Sequence, residues 1–125
     1  MSGLGEQQLA SFLDEVARAT PAPGGGSSAA LAVALAAALV EMSAGLAGDS
    51  EAASRTSDLR AQALELAERE LTSYAPVLDA LRLPRDDPSR SARVDEALLE
   101  ASRTPVAIAE GAAEVAELGA AAARA

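Results

Sequence analysis

The stretch Thr20-Pro21-Ala22-Pro23-Gly24-Gly25-Gly26-Ser27-Ser28 decides how this chain is read. It separates an amphipathic segment from a long Ala/Leu/Val run, so it is a junction between two helices. The prolines fix φ and withhold N–H donors, which makes the approach to the second helix stiff and non-helical. Three consecutive glycines let the backbone take positive φ or come close to another surface. Ser27 or Ser28 is placed to cap the next helix, whose free N–H groups and dipole favour a negative group. Two readings stay open: a tight turn with a serine cap, or a backbone wall for a flat or anionic ligand. A nucleotide P-loop is excluded because no lysine follows the glycines, and a dinucleotide fingerprint because the flank is not a strand.

Upstream, Gly5 to Arg18 carries Leu9, Phe12, Leu13 and Val16 at helical spacing, with Asp14 and Arg18 an outward i,i+4 pair. Downstream, Ser27 to about Ala47 reads as a second helix, apolar nearly all round and therefore central and buried. Gly48-Asp49-Ser50 ends it, with Asp49 or Ser50 the next cap. Glu51 to Leu81 reads as a long third helix that Pro76 kinks or deprives of a hydrogen bond. Leu83 to Pro88 is a loop by its prolines and acidic pair. Ser89 to Ser102 is a fourth helix; Thr104 and Pro105 then look like a cap and first position of a fifth. No strand pattern and no internal repeat stands out.

The chain has 125 residues, which suits one domain around one core. Half of it is apolar, yet Phe12 and Tyr74 are the only aromatics. A core of Ala, Leu and Val buries little area per residue, so helices must approach closely and a partner subunit is expected to add burial. The expected architecture is an all-α, up-and-down bundle of about five helices in a single domain, 1–125, forming a homodimer. Net charge is −9 and all ten basic residues are arginines, which disfavours nucleic acid as a partner. Without cysteine there is no thiolate nucleophile, disulfide or Cys-based metal site. Without histidine, acid–base chemistry falls to Asp, Glu, Tyr, hydroxyls, backbone groups or water. Met1 to Ala10 carries Glu6 and no basic region, so a secretory signal is not expected. The uncharged run Ala29 to Val40 is too short for a bilayer. A cytoplasmic protein without membrane contact is expected.

Among the carboxylates, Glu51 with Arg55 and Glu65 with Arg69 have the spacing of surface ion pairs. Glu70 is different: four residues on stands Tyr74, so a continuous helix would put a carboxylate and a phenol on one face. A solvated glutamate is the plainer reading of it. Glu41, at the end of the second helix, is either an interior carboxylate or, the plainer reading, a solvated helix end. Arg82 suits either a helix-end charge or a clamp for a substrate carboxylate.

The segment from Phe12 to Leu39, with its Pro-Ala-Pro-Gly-Gly-Gly-Ser-Ser and Ala-rich continuation, resembles the opening of the cyclodeaminase/cyclohydrolase family. That family includes the cyclodeaminase part of formimidoyltransferase-cyclodeaminases and bacterial methenyltetrahydrofolate cyclohydrolases. Glu65 to Pro84, with Tyr74-Ala-Pro-Val-Leu-Asp-Ala-Leu-Arg-Leu-Pro, resembles a second family segment, and Ala101 to Glu117 a third. The resemblance implies a dimeric helical bundle that takes a tetrahydrofolate derivative as substrate, with no cofactor and no metal. Pro23, Gly24, Gly25, Gly26 and Ser27 would line the folate site. Glu70 would be the acid/base beside Tyr74, and Arg82 would be a substrate contact.

The chain departs from the family pattern in carrying Glu70 where members usually have Asp. The segment before Glu65 looks short and lacks a lysine that many members have. The family's pattern also runs on past Ala125 into a loop and a further helix. A shortened relative that binds folate, or only dimerises, without catalysis is therefore the alternative expectation to an enzyme.

Overall fold

The computed structural model describes residues 3–20 and 22–124, and among them every regular element is helical. A 3₁₀ turn at Leu4–Glu6 precedes α1 (Leu9–Ala17), α2 (Gly25–Leu46), α3 (Ser50–Glu70), α4 (Ala75–Leu81) and α5 (Arg90–Arg124). The helices α2, α3 and α5 pack on one another to form the core, and α4 packs chiefly on α5. The all-α bundle expected from periodicity is what the chain forms, though its helices are divided differently.

Alanines make the central contact. Ala30, Ala34, Ala37 and Ala44 of α2 are buried, and so are Leu59, Ala63 and Ala67 of α3. Small side chains let the helix axes approach, so many weak dispersion contacts replace a few large buried groups. Ile108 of α5 joins Ala30 and Ala67, and Val115 joins Ala37 and Leu59. Gly119 continues this close approach, because a Cβ there would lie 3.1 Å from Val40 Cγ2.

The α2–α3 turn follows directly from its sequence. Gly48 has φ +74°, a region that costs a residue with a Cβ. Asp49 N–H donates to Ala44 O at 2.9 Å and Gly48 N–H to Gly45 O at 3.1 Å, which closes the end of α2. Asp49 Oδ1 then accepts from Ala52 N–H at 3.0 Å and caps α3, as expected.

Three helix boundaries differ from the expectation. The predicted Glu51–Leu81 helix ends at Glu70; residues 71–74 form a turn, and Pro76 lies in the first turn of α4. A proline is tolerated there because its missing N–H would have no intrahelical partner. The predicted fourth and fifth helices are instead the single α5, with Pro105 inside it. Its two halves pack on different elements, the first beneath α4 and the second through Ile108 and Val115 on α2 and α3, so tertiary contacts outweigh the lost hydrogen bond. At the other end of the loop, Arg90 donates to Leu83 O and Leu81 O, each at 3.2 Å, satisfying carbonyls left free where α4 ends. The first predicted helix, Gly5–Arg18, divides into the 3₁₀ turn and α1.

The second helix is not buried all round. Its alanine face is covered, while Leu35, Leu39, Met42 and Leu46 are exposed. At 22 residues α2 is also longer than its uncharged run, and by length and composition alone it could cross a membrane. Glu41 is not simply solvated: its Oε2 accepts from Arg60 Nε at 2.9 Å, tying α2 to α3. Arg55 likewise pairs not with Glu51 but with Glu114 of α5, its Nη2 donating to Oε1 at 2.6 Å. That contact holds the Glu114 carboxyl below its ordinary range and raises Arg55. No ion pair joins Glu65 to Arg69, or Asp14 to Arg18, among the described residues.

Candidate functional site

The glycine-rich junction meets the end of α3. Gly24 is the N-cap of α2, in extended conformation and with no side-chain cap. Neither serine caps the helix. Ser28 Oγ donates back to Gly24 O at 2.9 Å, and the buried Ser27 Oγ donates across to Ala67 O of α3 at 2.9 Å. The first N–H groups of α2 therefore keep their partial positive charge without an internal anion. Pro23, after a cis Ala22–Pro23 peptide, is buried beneath this start. Pro21 lies outside the described residues.

Glu70 supplies the carboxylate that α2 itself lacks. A Cβ built on Gly26 would fall 2.5 Å from both Cδ and Oε1 of Glu70, so only glycine admits this side chain against the backbone. Gly24, Gly25 and Gly26 show no positive φ, and a Cβ at Gly25 would meet open space. Close approach at Gly26 is thus the structural demand in this triplet. Glu70 is half-buried, and its Oε2 is enclosed without a hydrogen-bond partner. An enclosed carboxylate oxygen that accepts nothing is costly, and such an atom commonly marks a place where a ligand proton or cation completes the site.

The other expected residues are placed differently. Tyr74 stands in the turn after α3, at the N-cap of α4, and is 51% exposed. The shared helical face with Glu70 does not form because α3 stops at Glu70. No hydrogen bond joins the two among the described residues. Arg82 caps the end of α4, and its Nη1 pairs with Asp79 on the same helix at 3.2 Å. The structure thus brings Gly26, Ser27 and Glu70 together, and leaves Tyr74 and Arg82 outside that cluster.

Two features were missed in the sequence. Glu68 Oε1 accepts from Leu4 N–H and so fastens the N-terminal 3₁₀ turn to α3 close to Glu70. A groove of about 320 Å³ also opens between α2, α3 and α5, with Ala30, Leu66 and Ile108 among its apolar lining and Arg55, Arg69 and Glu114 among its polar lining. Its α2 wall begins one turn beyond Gly26, and Arg69 is the neighbour of Glu70. Neither feature has a local signal, since each needs segments distant in the chain to meet.

Residues 8–125 match the family described as formiminotransferase-cyclodeaminase, which is nearly the whole chain. The chain belongs to the formiminotransferase-cyclodeaminase family. It is also similar to a methenyltetrahydrofolate cyclohydrolase of Methylorubrum extorquens, with 34% identity over 130 aligned residues. That alignment covers 91% of this chain and 62% of the relative, so the chain spans less than two thirds of the relative's length. Within this family frame the glycine junction and Glu70 both fall in the matched region, as do the three long helices that position them.

Proposed function

We propose that this protein acts in folate one-carbon metabolism, at the bridge between two nitrogens of a tetrahydrofolate. The activity is that of a methenyltetrahydrofolate cyclohydrolase or a formimidoyltetrahydrofolate cyclodeaminase, carried out by a homodimer in the cytoplasm. The observation that carries the reading is the Glu70 carboxylate laid on Gly26 with Oε2 unpartnered, in a chain of this family.

The chemistry suits a lone carboxylate. In the hydrolytic direction the methenyl carbon sits between two nitrogens that share a positive charge. A water adds to it while Glu70 accepts the water proton, giving a neutral tetrahedral carbon. The proton held by Glu70 then passes to one nitrogen, whose bond to that carbon breaks as the hydroxyl gives its proton to solvent, leaving a formyl group on the other nitrogen. In the deaminating direction the second folate nitrogen attacks the formimino carbon. The departing nitrogen takes the attacking nitrogen's proton and one more from solvent, leaves as ammonia, and so forms the methenyl cation. Both routes need a group that holds a proton beside nitrogen and a negative charge beside a delocalised cation, and neither changes oxidation state.

In this account Gly26 gives Glu70 its place, Ser27 locks the start of α2 to α3, and Gly24, Gly25 and Pro23 form the adjoining wall. Tyr74 enters only if substrate draws it toward Glu70. Its exposure in the structure favours a second reading, a folate-binding module without turnover. The two readings part on one comparison. Loss of methenyltetrahydrofolate absorbance should run faster than the buffer rate with the wild type, and Glu70→Gln should lower kcat by about 100-fold or more. Tight folate binding with no difference between the two proteins would favour the module.

A further inference from the structure

Glu70 is the last residue of α3. Helix ends fray because their last carbonyls lack intrahelical donors, so a carboxylate carried there keeps one position only if the final turn is held from outside. One hold comes from α2. Leu71 N–H donates to Glu68 O at 3.2 Å, three residues back rather than four, and Ala67 O is taken instead by the Ser27 hydroxyl at 2.9 Å.

The second hold comes from the N-terminal 3₁₀ turn. Its N-cap, Gly3, has no side-chain oxygen, so the first N–H of the turn, that of Leu4, lacks a local acceptor. Glu68 Oε1 accepts it from across the fold, in a charge-assisted hydrogen bond. A Cβ on Gly3 would lie 2.7 Å from that oxygen, so glycine admits Glu68 here much as Gly26 admits Glu70. The Leu4 side chain packs on the cluster of Ala30, Ala67 and Ile108, and a Cβ on Gly5 would meet Leu64 Cδ1 at 3.5 Å. Leu64, Ala67 and Glu68 share one face of α3. The turn is itself firm: Glu6 N–H donates to Gly3 O at 3.0 Å, and Gln7 Nε2 donates to Glu15 Oε1 of α1 at 2.9 Å. Gly3 to Gln7 lies ahead of the family-matched segment, which begins at residue 8.

We propose that this N-terminal turn is a strap and that Glu68 is a positioning residue for Glu70. By gripping the last turn of α3, the strap fixes where Glu70 presents its unpartnered Oε2. Glu68 does not act on substrate. Two residues along a helix turn the side chain by about 200°, so Glu68 and Glu70 leave α3 on opposite sides. Its effect passes through the backbone that both residues share. The consequence for rate rests on the folate reading, whereas the consequence for the helix end does not.

Amide hydrogen exchange over residues 66–74, read by mass spectrometry beside methenyltetrahydrofolate kinetics, tests the proposal. Glu68→Ala should quicken exchange there by about 10-fold, the effect of losing one charge-assisted hydrogen bond, and leave residues 48–55 unchanged. Its kcat should fall by about 10-fold with KM within about twofold, because the reacting group is displaced while substrate contacts remain. Glu68→Gln keeps an accepting oxygen at the same reach and should restore both readouts. Leu4→Pro leaves α3 untouched and removes the donor and the packed side chain together. Proline suits the first position of such a turn, and Gly3, at φ −69° and ψ 170°, already has the conformation that precedes proline. This variant should reproduce Glu68→Ala. Wild-type exchange in either Glu68→Ala or Leu4→Pro would overturn the strap. Glu68→Gln as impaired as Glu68→Ala would overturn it too, by assigning the effect to charge. Quickened exchange with unchanged kcat would overturn the positioning role. Quickened exchange in a protein whose wild type turns over no folate would leave the strap standing and remove the enzyme reading alone.

Discussion

Gly26→Ala separates placement of Glu70 from stability of the fold. The added methyl would collide with Glu70 Cγ and sit 2.5 Å from its Cδ and Oε1. Ordinary contact needs about 3.5 Å, so the carboxylate must retreat by roughly 1 Å. The obstacle is the Glu70 side chain from Cγ outward rather than backbone, so Glu70 must change rotamer to relieve it. Alanine also suits a helix better than glycine by up to ~1 kcal/mol, which offsets the strain of the displaced side chain. Stability should therefore change by less than about 1 kcal/mol, within the range of ordinary surface substitutions. Catalysis should not be spared, because a misplacement of about 1 Å costs on the order of 100-fold in rate. Gly25→Ala is the matched control, since its Cβ would meet nothing within 4 Å. The assay is kcat for methenyltetrahydrofolate hydrolysis beside a urea melt of all three proteins. A Gly26→Ala protein with wild-type kcat and a wild-type melt would refute the idea that Glu70 works from this position.

Three further outcomes follow from the geometry. Gly48→Ala should lose ~1–2 kcal/mol in chemical denaturation, because φ +74° penalises any Cβ even though the space around it is open. Ser27→Ala should cost about 1 kcal/mol by removing the buried hydroxyl that donates to Ala67 O at 2.9 Å, and should loosen the approach of α2 to Glu70. Glu114 is held below the usual carboxylate value of 4.5 by its hydrogen bond from Arg55. Its folded-state pKa lies below its unfolded one, so its contribution is present above the ordinary glutamate range and is lost as pH falls through the folded value. Glu114→Gln should accordingly flatten part of the decline in urea midpoint between about pH 6 and pH 3, by a small amount because the pair is solvent-exposed.

The sequence made local events legible and left long-range ones hidden. Asp49 declared its cap because the signal, an Asx residue after Gly48, is complete within four residues. The glycine triplet announced positive φ or a close approach, but not which of the two nor which surface approaches, since Glu70 lies forty-four residues from Gly26. Glu70 itself drew notice through Tyr74, by way of a continuous helix that the structure does not contain. Pro105 misled in the other direction: a Thr-Pro pair resembles a helix start, yet packing on both sides of it carries α5 straight through. Arg55 had an acid at the preferred helical spacing and paired instead with Glu114, which only tertiary packing brings near. The outer face of α2 was hidden for the same reason. A helix apolar all round is read as buried, and nothing local says that one of its faces lacks a covering element within the chain.

The central claim is that Glu70 on Gly26 makes a folate-processing centre in this chain. The most direct measurement is the initial rate at which the purified protein consumes methenyltetrahydrofolate at neutral pH, corrected for the spontaneous reaction in the same buffer. The account predicts a rate proportional to protein concentration and well above that background. A folded protein, verified by its helical spectrum, that leaves the background rate unchanged would contradict it.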